Sequence, residues 1–444
     1  MDTPAAAPAH DPAEFIARTR NVASGEQALT TIARRVLPGG GFGNINTETV
    51  IARGQGGRIW DESGNEYVDF LLGSGPMFIG HGHPAVDKAV KAQLANGTTF
   101  FAQNAHGIRL AEDIVDAVPC AEKVRFLSSG TEADFYAMRL VRAFRGREKI
   151  LKFEGGYHGM SDYALMSLAP RRPGNFPQAS ADSAGIPRSV REEILVAPFN
   201  DTAMVDSLIA AHHDELAGVI VEPFQRLIPP HPGFLQALRR ATAQYGIPLI
   251  FDEVVTGFRF AYGGAQSYYG VTPDICTLGK IIGGGFPLAA VTGKAEIMAH
   301  FDRALVGEDR FLPQIGTLSG NPVAACAGRA TLAVLREPGA YAKVFETGRI
   351  LMAEMTAMIR SVGLAAQVVG EPPQFDVMFT DAPIADYRAS LKNNVALQQR
   401  FTRALRARGV FKNDSKYYVS LAHDATDIAD TLAAFQGALE EIGR

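Results

Sequence analysis

The feature that most constrains this 444-residue chain is an alternation of short apolar strands with amphipathic helices, running from about His81 to about Asn321. Strands are expected at Lys123–Leu127, Ile150–Phe153, Gly218–Val221, Leu249–Asp252, Ile275–Thr277 and Ala289–Thr292. Helical patterns separate most of them. In Thr131–Phe144, residues Ala133, Tyr136, Ala137, Leu140, Val141 and Phe144 fall on one face. Strand–helix alternation of this kind predicts an α/β fold, a parallel sheet flanked by helices.

Different patterns flank this region. The Asp61–Gly64 turn between apolar runs predicts a hairpin, so residues 1–80 read as an N-terminal arm with a small β-meander. Residues 81–325 form the large domain. Residues 326–444 read as a smaller α+β domain: a long helix, short strands and a closing helix from Ala425. The Ala/Pro-rich start, 1–15, is expected to be loose. Residues 161–190, with Pro170, Pro173, Pro177 and Pro187, predict a long irregular segment of the kind that forms lids or mobile loops.

Several functions are disfavoured at once. Lys and Arg number 43 against 47 Asp and Glu, which gives no support to a nucleic-acid or anionic-membrane partner. No apolar run reaches the ~18 residues of a membrane-spanning helix, and the N-terminus does not resemble a signal peptide. Cys120, Cys276 and Cys326 form no CxxC pair, which argues against a disulfide framework or a thiolate zinc site. They suit a reducing, cytoplasmic setting. His212-His213-Asp214-Glu215 is not a metal-binding HExxH, and no metal is expected.

Four features fall at expected strand ends, where open α/β sheets place ligands. Ser129, Gly130 and Thr131, in SSGTEA, would open a helix and present free N–H groups to a phosphate, or serve as a plain N-cap with Glu132. Asp252, in IFDEV, could bind a metal, orient a histidine, pair with a protonated ring nitrogen or make a structural ion pair. Lys280, in TLGKIIGGGFP, could form a Schiff base if partly buried, or be a surface charge. Tyr157 and His158, in GGYHG, could stack on an aromatic ring or sit in a simple turn. Together they make the set that pyridoxal 5′-phosphate requires.

On these motifs the chain resembles the class III (subgroup II) pyridoxal-phosphate aminotransferases, most of all their glutamate-1-semialdehyde aminomutase branch. The resemblance runs from Leu37 to His423 and rests on GPMFIGHGHPAV, SSGTEA, KFEGGYHG, VEP, DEVVTGFRFAYGGAQSYYGVTPD, TLGKIIGGGFP and GTLSGNPVA. It implies a fold type I transferase with a mostly parallel seven-stranded sheet, acting as a homodimer with shared active sites. It also implies roles. Lys280 is the Schiff-base lysine and Asp252 the partner of the pyridine nitrogen. Ser129, Gly130 and Thr131 take the phosphate, Tyr157 stacks on the ring, and Val254 packs on the opposite face. Thr317 reaches the phosphate of the other subunit. Glu222 supports the site near Asp252, and Gln225 contacts the ring hydroxyl.

The resemblance breaks on the substrate side. GGFGNINTETV lacks the arginine that the aminomutases carry there, Gly75 replaces a tryptophan, Met160 replaces a histidine, and FKNDSKYY brings in Lys412 and Lys416. These changes favour transfer between an amino donor and a separate keto or aldehyde acceptor over the aminomutase's internal transfer. A third alternative, an inactive structural or regulatory protein, is opposed by intact Lys280 and Asp252. Arg226 is a candidate to bind a substrate carboxylate, or makes a surface or interface ion pair. Gly75, Asn44 and Asn46 suggest a roomier pocket.

Overall fold

The computed structural model describes residues 10–45 and 48–443; residues 1–9 and Asn46 lie outside the described residues. A helix begins at Pro12, inside the stretch expected to be loose. Asp11 caps it by accepting from the Ala13 N–H, and proline at the first helical position loses no hydrogen bond. A meander follows: β1 (Ile51–Gln55), β2 (Arg58–Asp61) and β3 (Glu66–Asp69). The β2–β3 turn is the expected hairpin. The Asp61 carboxylate closes it, accepting from the N–H groups of Ser63 and Asn65 at 3.0 and 2.8 Å.

The central sheet contains β4 (Lys123–Leu127), β5 (Lys149–Phe153), β6 (Ile194–Ala197), β7 (Leu216–Val221), β8 (Leu249–Glu253), β9 (Ile275–Leu278) and β10 (Ala289–Gly293). Their order is β4-β10-β9-β8-β7-β5-β6. Only β10 is reversed, pairing antiparallel with β4 and β9. The carboxyl ends of the other six therefore share one rim. Helices cover both faces, so the strands are apolar on both sides. Ile150, Ile220 and Ile250 join one apolar cluster with Ala133 and Ala137 of the helix Gly130–Arg145. Their neighbours Leu151, Val221 and Phe251 join the cluster on the opposite face. Burying each such large side chain contributes about 1.5–3 kcal/mol.

Beyond the sheet, helices Pro322–Leu335 and Ala340–Ser361 lead to β11 (Gln367–Glu371) and β12 (Gln374–Met378). The strand β13 (Val410–Phe411) does not join them. It pairs in parallel with β3, Val410 facing Val68, so the N-terminal meander and the C-terminal region share a sheet. The strand β14 (Tyr417–Tyr418) pairs with β12, and the Tyr418 N–H donates to Phe70 O at 2.9 Å. That bond brings Tyr418 and Lys416 beside the segment leading to Gly75.

The segment 161–190 is irregular, and its carbonyls are pinned. Buried Lys152 donates to Ala164 O and Met166 O at 2.7 and 2.6 Å. Arg388 donates to Gly174 O at 2.7 Å while pairing with Glu154, and the Tyr387 hydroxyl donates to Pro170 O at 3.2 Å. No helix among the described residues is long and apolar enough to cross a membrane.

Candidate active site

The rim formed by the ends of β4, β5, β7, β8 and β9 holds a cavity of about 340 Å³. Ser129, Gly130, Thr131, Tyr157, Glu222, Asp252, Val254 and Lys280 all line it. Eight of the residues singled out in the sequence thus meet in one place.

The phosphate candidate is a helix start. Ser129 is the N-cap: its hydroxyl accepts from the Glu132 N–H at 3.2 Å, and the Glu132 carboxylate accepts from the Ser129 N–H at 3.1 Å. Capping and anion binding are compatible here. Gly130 and Thr131 hold the first helical positions, whose N–H groups have no acceptor within the helix. Glycine is required at 130, because a Cβ would stand 2.9 Å from Val254 Cγ1.

Asp252, one residue before the end of β8, is buried. Its Oδ2 lies 2.8 Å from His158 Nδ1, and its Oδ1 accepts from the Val254 N–H at 3.1 Å. His158 Nε2 is buried without a partner. Thr277 Oγ1 lies 3.5 Å from Asp252 Oδ1 and donates to Asp134 Oδ1 at 2.6 Å. Asp134 was not singled out in the sequence. Burial, then the charge of Asp252, holds its carboxyl well above the usual range. Burial thus favours the neutral form of Asp134 beside Asp252. Its one sequence signal is a charged residue at the border of an otherwise apolar helix face.

Lys280 follows β9 with φ +46°. A non-glycine residue in the left-handed region is strained by roughly 1–3 kcal/mol, a cost found mostly at functional sites. Burial pushes its ammonium pKa down. Tyr418 and Asp252 oppose that shift, while Lys416 and Arg259 reinforce it. Lowering the pKa enlarges the neutral, nucleophilic fraction.

Tyr157 is held by its backbone, whose N–H donates to Glu222 Oε2 at 2.8 Å. Three other candidates do not line the cavity. Gln225 is buried, donating to Glu154 O at 2.8 Å, and its Oε1 has no partner. Thr317 lines a separate surface groove of about 780 Å³. Arg226 places its guanidinium 5.3 Å from the centre of the Tyr157 ring.

One expectation about the substrate side needs correction. Gly75 does not open room: a Cβ there would stand 2.8 Å from Arg259 Nη2 and 3.0 Å from Tyr418 Cε1, which already fill the space. Lys412, brought in by FKNDSKYY, is buried and its Nζ donates to Asp376 Oδ2 at 3.2 Å. Asn44 is exposed and does not line the cavity.

The cavity's groups fit pyridoxal 5′-phosphate by their chemistry: a helix start for the phosphate, a tyrosine face, a buried carboxylate and a desolvated lysine. The aminotransferase class-III family model matches residues 42–415, a span that contains every one of them. The chain belongs to this family. The aminotransferase is similar to an omega-transaminase from Sphaerobacter thermophilus, with 39% identity over 95% of this chain and 99% of that one and a TM-score of 0.90. It is similar to a beta-phenylalanine aminotransferase from Variovorax paradoxus, with 30% identity over 97% of both chains and a TM-score of 0.85. A glutamate-1-semialdehyde aminomutase from Pseudomonas aeruginosa PAO1 matches at 25% identity over 94% of both chains, with a TM-score of 0.84. Class-III aminotransferases work with pyridoxal 5′-phosphate, and the solved relatives include a transaminase with that cofactor bound. The seven-stranded α/β sheet is that of a fold type I transferase.

Proposed function

We propose that this aminotransferase carries an amino group from an amino acid or amine to a separate keto or aldehyde acceptor, in two half-reactions on Lys280. The observation that carries the reading is the convergence of Lys280, Asp252, Tyr157 and the Ser129–Thr131 helix start on one cavity. Pyridoxal 5′-phosphate, when bound, supplies an aldehyde for amine exchange and a ring that withdraws electrons from the carbon being deprotonated.

The chain's residues divide the remaining work. Ser129, Gly130 and Thr131 hold the phosphate. Asp252, oriented by His158, keeps a proton on the ring nitrogen. Tyr157 and Val254 hold the ring between them, and Glu222 fixes the Tyr157 backbone. Gln225, with its unpartnered Oε1, is assigned to the ring hydroxyl. Lys280 would hold the cofactor's aldehyde, and its amine, when free, would take the proton from the substrate carbon.

We assign Thr317 to the active site of a second copy in a homodimer. Supporting this, Thr317 shares its groove with the exposed side chains of Phe101, Leu305 and Ile315. Exposed apolar groups gathered in one place suit an interface. We divide the chain for this purpose into residues 1–80, 81–325 and 326–444. Three free, buried cysteines support a cytoplasmic setting.

The test is the near-visible spectrum of the cofactor-loaded protein, mixed with amino donors and no acceptor. A band that shifts with donor, and returns when a carbonyl acceptor is added, is expected. Turnover that needs no acceptor would point to the aminomutase reaction instead. Undiminished transamination by Lys280→Ala would overturn the assignment of Lys280.

A further inference from the structure

Three basic side chains, Arg226, Arg259 and Lys416, stand together beside the cavity with no ion-pair partner among the described residues. Arg259 is fully buried and Lys416 is 6% exposed. Among the described residues, no carboxylate forms an ion pair with either of them or with Arg226. Arg259 donates through Nε to Val255 O at 2.9 Å and through Nη2 to Gly75 O, and its Nη1 is buried with no partner. The Arg259 guanidinium and Lys416 Nζ lie 4.9 and 5.7 Å from the centre of the same ring, Tyr418. Arg226 lies against Tyr157, which lines the cavity. Its backbone is held at φ +61°, and its carbonyl accepts from Gln374 Nε2 at 2.6 Å.

Burying cations without partners is costly, and a left-handed arginine adds strain. Such costs collect where a ligand completes the charge balance. The nearby carboxylates are already engaged: Glu222 with the Tyr157 N–H, and Asp252 with His158 and the Val254 N–H.

Building on the transaminase reading above, we propose that Lys416, Arg226 and Arg259 form an anion subsite for a carboxylate of the amino donor, so that the enzyme selects amino acids over plain amines. Lys416 is its specificity-determining member. Burial and Arg226 push its ammonium down to about 7, with Arg259 adding to the shift and Glu222 and Asp252 opposing it. Lys280 stands in the same field. A bound carboxylate favours the charged ammonium, so carboxylate donors should bind more weakly as the pH rises above 7.

The experiment uses the cofactor-loaded enzyme. Amino acids whose carboxylate lies one, two or three carbons from the amine-bearing carbon are compared with their primary amides, by half-saturation of the donor-driven spectral change. Succinate binding, measured by calorimetry, gives a readout independent of turnover. At least one amino acid should half-saturate tenfold or more below its amide at pH 6.5, with that preference shrinking by pH 8.5. Lys416→Met should abolish the preference and weaken succinate binding at least tenfold. Lys416→Arg should retain both, and its cofactor band reports that it has folded. Equal affinity for acids and amides, or a preference unchanged in Lys416→Met, would overturn the subsite. Loss of any donor-responsive band in the wild-type protein would instead overturn the transaminase reading.

Discussion

His158 Nδ1 lies 2.8 Å from Asp252 Oδ2, both side chains are buried, and the other imidazole nitrogen has no partner. The ring thus fixes the orientation of the carboxylate without itself contacting another polar group. Replacing it by His158→Phe should leave the cofactor bound but slow the donor half-reaction about 10- to 100-fold, the usual scale for losing a supporting hydrogen bond at a reactive centre. Stopped-flow absorbance measures it. An unchanged rate would show that Asp252 needs no such support.

Asp134 should tolerate amidation. Burial and the charge of Asp252 push its carboxyl pKa well up, toward the neutral form, so Asp134→Asn should keep its shape and the Thr277 bond. Unfolding measurements should find a change within about 1 kcal/mol, against roughly 1–3 kcal/mol for Asp134→Ala, which leaves Thr277 Oγ1 unpaired. Equal losses in the two variants would mean that Asp134 acts as an anion.

Lys152 predicts a pH dependence of stability. Burial lowers its ammonium from 10.5 to about 7. Between those values the unfolded chain holds a proton that the folded chain has released, so stability rises with pH. The full cost of burying the charge is present below pH 7 and is relieved as the pH approaches 10.5. Relative to Lys152→Met, the wild type should gain up to about 1.4 kcal/mol per pH unit across this window. Urea unfolding from pH 6 to 9.5 tests it. A constant difference would contradict the shift.

The pairing of Arg388 with buried Glu154, at 2.7 Å, clamps the Pro-rich segment through Gly174 O. Arg388 is itself more than a third exposed, so solvent screening reduces the pair's worth. Arg388→Met should cost about 1–3 kcal/mol, mainly by stranding the Glu154 carboxylate. Limited proteolysis should then cut faster within 161–190. Unchanged cleavage would assign the clamp to Lys152 and Tyr387 alone.

What could be read from the sequence, and what could not, divides along a physical line. The strands β4, β5, β7, β8, β9 and β10 were legible because each is an apolar run bounded by turns. The strand β6 was not: ILVA is short and buried on both sides, so it carries no alternation. Residues Ser129, Tyr157, Asp252 and Lys280 could be proposed together because strand ends collect on one rim. Asp134 escaped notice because its meaning depends on Thr277 standing between it and Asp252, a relation among three distant segments. Gly75 was misread for the same reason. A missing side chain looks like space until Arg259 and Tyr418 are seen to occupy it.

Lys280 is assigned as the residue to which the cofactor attaches. Borohydride reduction of the pyridoxal-phosphate-loaded protein, then digestion and mass spectrometry, locates the attachment site directly. A single modified peptide is expected, with the added mass on Lys280. A label on Lys416 or another lysine, or no label on a protein that shows the cofactor's near-visible band, would contradict it.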